Sequence, residues 1–141
     1  MGSSAPFVSP AVQLHRECGE FRIAVIHHAH NVTFVTKRLL TLLGHEVETA
    51  NDYDAGLELV RSMQPEIVLC GIDLPHGDGI DLAIEIRRTI AERPYLIAHT
   101  GYSQAHVRAQ EPEPAFDEII EMPADAVRFA EAFQRAKQRP K

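Results

Sequence analysis

The chain has no tryptophan, and its three tyrosines and six phenylalanines leave aromatics at only 6% of 141 residues. Cysteine is equally scarce, with Cys18 and Cys70 far apart in sequence. Two distant cysteines do not make a disulfide-stapled secreted scaffold. No apolar run approaches the roughly 18 residues a membrane helix needs. The first 20 residues also lack the basic start and apolar stretch of a secretory signal. These absences point to a cytoplasmic protein with no membrane partner. Positive charge is short as well: 14 Lys and Arg face 20 Asp and Glu, a net charge of −6. A duplex-DNA binder shows a basic domain or stripe, so no nucleic-acid partner is expected.

What the chain does have is an ordinary globular composition, 45% hydrophobic and 24% charged. Its length suits one domain with a core that needs no staples. Residues 1–20 open with Gly, Ser and Pro and read as a flexible tail. The domain is expected over residues 21–138, with a short tail at 139–141. Histidine is in excess, at eight residues.

Within the domain, short apolar runs alternate with helical patterns. Arg22–Ile26, Glu66–Cys70 and Tyr95–Ala98 read as buried strands, Glu46–Ala50 as an edge strand, and Ile119-Ile120 as the centre of a fifth. Between them, Val32–Leu43 is helical, with Asn31 as cap and Val35, Leu39, Leu42 and Leu43 on its apolar face. Gly44 stops it. Asp52 caps a second helix that ends before Pro65, with Leu57, Val60 and Met63 inward. Ile80–Ala91 is a third. A fourth follows Ser103 and is cut short by Pro112 and Pro114. Ala126, Phe129, Ala130 and Phe133 mark a fifth at i, i+3, i+4 and i+7. Five alternating strands and helices imply an α/β three-layer sandwich around a parallel sheet. Its site lies beyond the carboxyl ends of the strands. There the sequence brings His27, His28, Gly71, Thr100 and Met122.

From Arg22 to Lys137 the chain resembles the response-regulator receiver domain, the CheY-like phosphoacceptor module of bacterial two-component signalling. The likeness rests on Gly44-His45-Glu46-Val47, on Pro65–Leu69 followed by Leu74-Pro75 and Asp78-Gly79, on Thr100-Gly101-Tyr102, on Phe116-Asp117 and on Met122-Pro123. It implies a flavodoxin-like (βα)5 fold with strand order 2-1-3-4-5. It also implies a cis peptide at Met122-Pro123.

The family's chemistry does not carry over with the pattern. The resemblance calls for two acids after the first strand to hold Mg²⁺, and His27 and His28 stand there. The phosphoaccepting Asp position is Gly71, the Lys position is Met122, and the switch aromatic is Ile119. Thr100 alone remains. Magnesium needs hard oxygen ligands, a glycine offers no nucleophile, and a thioether offers no charge to stabilise a phosphoryl group. The expectation is a pseudo-receiver that is neither phosphorylated nor an enzyme and binds no cofactor. It would act as an interaction module for a kinase, an effector domain, another regulator or a second copy of itself. Tyr102, Ile119 and Ile120 are the candidate interaction face.

Alternatives come from the same end of the sheet. Asp73 and Asp78 are the nearest carboxylates to Gly71, but an Asp-Gly pair more simply makes a turn and a helix cap. His27, His28, His30, His76 and His99, with Cys70 nearby, contain the ligand types of a zinc or small-ligand sensor, with His27, His30 and His76 as candidate ligands. Their spacing follows no zinc motif, and adjacent residues of a strand point to opposite sides, which separates His27 from His28. A pH response would draw on the same cluster. Cys70 reads as buried filler. An enzyme reading lacks support, because His27–Asn31 contains no glycine for a phosphate loop.

Overall fold

The computed structural model describes residues 9–139. Strands β1 (Arg22–Ile26), β2 (Glu46–Ala50), β3 (Ile67–Cys70), β6 (Tyr95–Thr100) and β7 (Glu118–Glu121) form one parallel sheet in the order β2-β1-β3-β6-β7. Counting only these five, the order is the expected 2-1-3-4-5. The two extra pieces, β4 (Asp73–Leu74) and β5 (Gly77–Asp78), form a small antiparallel clip after β3.

Helices α2 (His30–Leu42) and α6 (Ala126–Gln138) cover one face of the sheet. Helices α3 (Tyr53–Met63), α4 (Gly79–Thr89) and α5 (Gln104–Gln110) cover the other. The alternation of side chains along the strands divides the core accordingly. Ala24, Ile26, Val68, Cys70, Leu96 and Ala98 pack toward α3, α4 and α5. Ile23, Val25, Ile67, Leu69 and Ile97 pack toward α2 and α6. Caps hold the helix starts as the sequence predicts: Asp52 accepts from Ala55 N–H at 2.7 Å, Asp78 from Ile80 N–H at 2.6 Å and Ser103 from His106 N–H at 3.1 Å. The Met122-Pro123 peptide is cis, and Gly44, at φ 102, follows α2.

Four expectations fail in instructive ways. Pro10–Cys18 is not tail but a helix, α1, capped by Ser9, with His15 and Cys18 buried against α6. Residues 1–8 of the expected tail lie outside the described residues. Arg139 is anchored rather than loose: it donates to the Arg93 carbonyl at 2.7 Å and covers the Tyr95 ring. Helix α2 starts at His30 behind Ala29, which offers no side-chain cap, so Asn31 lies inside it. Its buried stripe is also rotated from expectation. Thr33, Thr36, Leu40 and Leu43 face the sheet, while Val35 and Leu42 point out. The threonines can be buried because their methyls pack while Thr33 is bonded to the His30 carbonyl and to Asn51.

At the far edge, Glu118 on β7 binds the two sides of the last crossover. It accepts from Tyr95 Oη, Arg128 and Arg135. Burial alone would raise its carboxyl pKa. The bonds from Arg135, Arg128 and Tyr95 outweigh that and hold it at about 2. A depressed carboxyl contributes stability above its ordinary pKa, here 4.5, and loses it as pH falls toward 2. Glu118→Gln should therefore destabilise the domain by about 3 kcal/mol at pH 7, since two arginines lose a buried charged partner. Urea denaturation measures this, and the difference from wild type should shrink steadily below pH 4.5. A constant difference down to pH 3 would contradict the assignment.

Candidate functional site

The carboxyl ends of β1, β3 and β6 meet at one rim of the sheet, and their sequence decides what stands there. β1 ends at Ile26, and His27 follows, buried, with its Nδ1 accepting the Ala29 N–H at 3.0 Å. His28 stacks on it, ring centroids 4.6 Å apart and planes at 26°. The rule that neighbours point opposite ways does not separate them, because the strand has already ended. β3 ends at Cys70, and Gly71 N–H donates back to the Ile26 carbonyl at 2.8 Å. A Cβ built on Gly71 would lie 2.9 Å from Cδ2 of His27. The imidazole thus fills the space into which a side chain at 71 would project.

A second glycine closes this rim from the other side. A Cβ on Gly79 would fall 1.8 Å from the Gly71 carbonyl oxygen, and Gly79 N–H donates to the Ile72 carbonyl at 2.7 Å. The clip β4–β5 is thereby folded back on the end of β3. His76, at φ 66, forms its apex. Asp78 caps α4, in keeping with the turn-and-cap reading. Asp73 is exposed and accepts the Tyr102 hydroxyl at 2.7 Å, a link that joins the loop after β3 to the loop after β6. Tyr102 stacks in turn on His106, centroids 4.5 Å apart. Nothing in the spacing of residues 73, 102 and 106 announces that chain. A shallow depression of about 310 Å³ lies between His28, Asp73, Pro75 and Asp78.

Thr100 is buried at the end of β6, its hydroxyl oxygen accepting Tyr102 N–H at 3.1 Å. Met122 is half-buried after β7, and its N–H donates to the Thr100 carbonyl at 2.7 Å. His99, on β6, points away from the rim into the layer under α6, with its ring 5.3 Å from that of Phe129. Its Nδ1 has no hydrogen-bond partner among the described residues. Burial, and secondarily His27, pushes its pKa down to about 4. For His27 burial also lowers the pKa; His28 adds to that and Asp73 opposes it. Both rings are therefore neutral at pH 7. Burial and then Asp78 push the Cys70 thiol up to about 12, so it is an inert core group rather than a ligand or nucleophile.

The metal candidates His27, His30 and His76 do not converge. Among the described residues no three His, Cys, Asp or Glu side chains are placed to hold an ion. His27 is buried at the rim, His30 is exposed at the start of α2 and His76 is exposed at the clip's apex. The expected interaction face also needs correction. Ile119 and Ile120 lie on opposite faces of β7, and both are in the core. Of the three, only Tyr102 is exposed. The apolar surface is elsewhere, on α2, where Phe34, Val35 and Leu42 are 70%, 62% and 73% exposed.

A doubly covered parallel sheet whose strand ends carry the Gly71, Thr100 and Met122-Pro123 positions defines a receiver-type module. Residues 23–134 match the family model described as response regulator receiver domain. The chain belongs to that family, whose place is in two-component signalling. Regulatory protein AtoC of Escherichia coli is 29% identical over 118 residues, which are 83% of this chain and 25% of AtoC. Response regulator MprA of Mycolicibacterium vanbaalenii is 30% identical over 54% of this chain and 33% of its own length. The chain thus spans a quarter to a third of these curated relatives. The structure of response regulator TrrA from Thermotoga maritima, in complex with Mg²⁺-BeF, is similar with a TM-score of 0.73 at 26% identity, over 82% of this chain and 97% of that one. NtrX from Brucella abortus gives 0.74 at 25%, over 84% and 28%. Among the described residues, no helix is long and apolar enough to cross a membrane.

The contact between His27 and position 71 gives a direct test. Gly71→Asp should cost about 2 kcal/mol through overpacking, and the same change in a His27→Ala background should cost much less. A double-mutant cycle by urea denaturation measures the coupling. Equal costs in both backgrounds would mean that the ring does not constrain the position.

Proposed function

We propose that this receiver domain works without phosphorylation, as a protein-docking module of a two-component system. The observation that carries the reading is the imidazole of His27 lying over Gly71. The position needed for an oxygen nucleophile has no side chain, and the space above it is filled. The donor set does not suit magnesium either. Two imidazoles stand after β1, and the nearby Asp73 and Asp78 are engaged by Tyr102 and by the cap of α4. No metal step is therefore assigned to this site. A thioether at residue 122 and neutral histidines at 27 and 99 supply no positive charge for a phosphoryl oxygen to meet.

Support for docking comes from α2. Asn31, Phe34, Val35, Arg38, Thr41 and Leu42 share its outward side by helical spacing, and all six are exposed. The helix contains Lys37 and Arg38 but no acid. An apolar strip flanked by positive charge fits an apolar partner surface with an acidic rim. It fits a second copy through the same strip poorly, because Arg38 would meet Arg38 across a two-fold axis. A kinase, an effector domain or another regulator is accordingly favoured over self-association there. The Lys37–Glu48 pair beside the strip is exposed and adds little.

Two measurements test the reading. Incubation with acetyl phosphate and Mg²⁺ should leave the intact mass unchanged; a stable gain of one phosphoryl group would refute it. The double variant Phe34→Ser/Leu42→Ser should keep its stability within roughly 1 kcal/mol, as surface changes do. It should lose at least tenfold of its recovery of histidine-kinase or response-regulator proteins from native lysate relative to wild type. Undiminished recovery would move the docking face off α2.

A further inference from the structure

The family match begins at Ile23, so α1 lies outside it. This added helix is tied to the domain by two histidines that are not at the rim. His15 on α1 is 1% exposed, and His45, at the turn into β2, is 4% exposed. Nδ1 of His15 lies 2.9 Å from Nε2 of His45. Nε2 of His15 lies 2.7 Å from the Ala126 carbonyl oxygen at the start of α6. Phe21 N–H donates to Nδ1 of His45 at 3.2 Å.

The ends of this chain fix its protons. An amide N–H can only donate, so Nδ1 of His45 is bare and Nε2 carries its hydrogen. That hydrogen is donated to Nδ1 of His15, whose own Nε2–H is donated to the carbonyl, which can only accept. Three bonds hold three hydrogens. A further proton on either ring forces two N–H groups against one another, either between the rings or at Phe21. The relay is satisfied only when both histidines are neutral.

The surroundings give such a proton no counter-charge. Phe21 and Phe133 pack against the rings. On α1, Arg16 and Glu17 are exposed, and on β2 so is Glu46. At the start of α6, the Asp125 carboxylate caps its own helix at Arg128 N–H. Farther along α6, Lys137 reaches the Glu17 carbonyl. No side-chain carboxylate among the described residues is bonded to either ring. The other bonds that fasten α1 to α6 are weak: the exposed contact from Lys137, at 3.3 Å, and that from the Cys18 thiol to the Ala130 carbonyl at 3.4 Å.

We propose that α1 is an acid-released arm: the neutral His15–His45 relay docks it on α6 and on the turn into β2, and proton uptake by either ring undocks it, uncovering Phe133 and Cys18. This is independent of the phosphorylation reading. Burial, reinforced by His15, lowers the pKa of His45 to about 4, and burial lowers that of His15 against the pull of the Ala126 carbonyl. Rings whose docked pKa is depressed stabilise docking above their free value of 6.5 and lose that contribution as pH falls below it. His45 alone weakens docking by about thirtyfold between pH 7.5 and 5.0. That interval stays above the range in which Glu118 loses its contribution.

The two cysteines report separately on the arm and the core, since Cys18 is buried at the end of α1 and Cys70 in the central strand. Labelling with 4,4′-dithiodipyridine, resolved per cysteine by mass, is divided at each pH by the rate for the urea-unfolded chain. Protection of Cys18 should fall more than tenfold from pH 7.5 to 5.0 and stay well below that of Cys70 at each pH, since Cys70 opens only when the whole domain unfolds. In His15→Phe/His45→Phe, which takes up no proton, Cys18 protection should be flat across the interval. Unchanged protection of Cys18 in the wild type would overturn the proposal, as would Cys18 protection no lower than that of Cys70 at each pH or acid release that persists in the double variant. The wild-type comparison decides alone if the variant does not fold.

Discussion

The structure depends on burying β1, β3 and β6 on both faces. A strand covered on both sides must pair its backbone groups within the sheet, since no water reaches them. That requirement fixes three parallel neighbours in register, Ile23 beside Ile67 and Ile67 beside Tyr95. Parallel register in turn forces each connection to cross back over a face, which is why helices occupy both. It also brings all the carboxyl ends to one rim. His27, Gly71 and Thr100 are neighbours in space because Ile26, Cys70 and Ala98 are neighbours in the ladder.

At that rim the replaced residues are not independent. A ring at 27 can lie where it does because residue 71 has no Cβ, and residue 71 is approached from behind by Gly79. A side chain at 71 has to displace the His27 ring, whereas one at 79 would run into the Gly71 carbonyl. A change at 71 is therefore coupled to 27 more tightly than to 122, whose connection to the rim runs through the Thr100 carbonyl. The rim is held in one arrangement by packing and short backbone bonds. The Asp73–Tyr102 link adds to this at its exposed edge.

Much of this was legible in the residues. Strands with continuous apolar runs declared themselves, and Asp52, Asp78 and Ser103 marked helix starts because capping is local chemistry. Helix α2 departs from its pattern, because hydrophobicity alone gives the buried side to Val35 and Leu42. The structure gives it to Thr33 and Thr36, and the Thr33 hydroxyl finds partners on Asn51 and the helix backbone. The family's functional pattern puts Ile119 and Ile120 on an interaction face, but a strand between two helical layers buries both of its faces. Helix α1 was hidden because Pro10–Cys18 is short and polar. What stabilises it is His15 meeting His45 and Ala126, partners 30 and 111 residues away. No window of sequence contains such a contact.

The histidine excess divides along the same line between local and distant causes. His28, His30, His76 and His106 are exposed, whereas His15, His27, His45 and His99 are buried. Burial lowers the pKa of all four in the second group. Protonating all eight histidines would carry the net charge of −6 to +2, and the folded chain withholds half of those rings from the proton. An unfolded chain withholds none of them, so it binds more protons as soon as pH drops below 6.5. Acid sensitivity in this domain begins with histidine, well above the range in which carboxylates such as Glu118 take up protons. The neutral state of four buried imidazoles is thus a condition of the fold, and their number is what makes the condition strict.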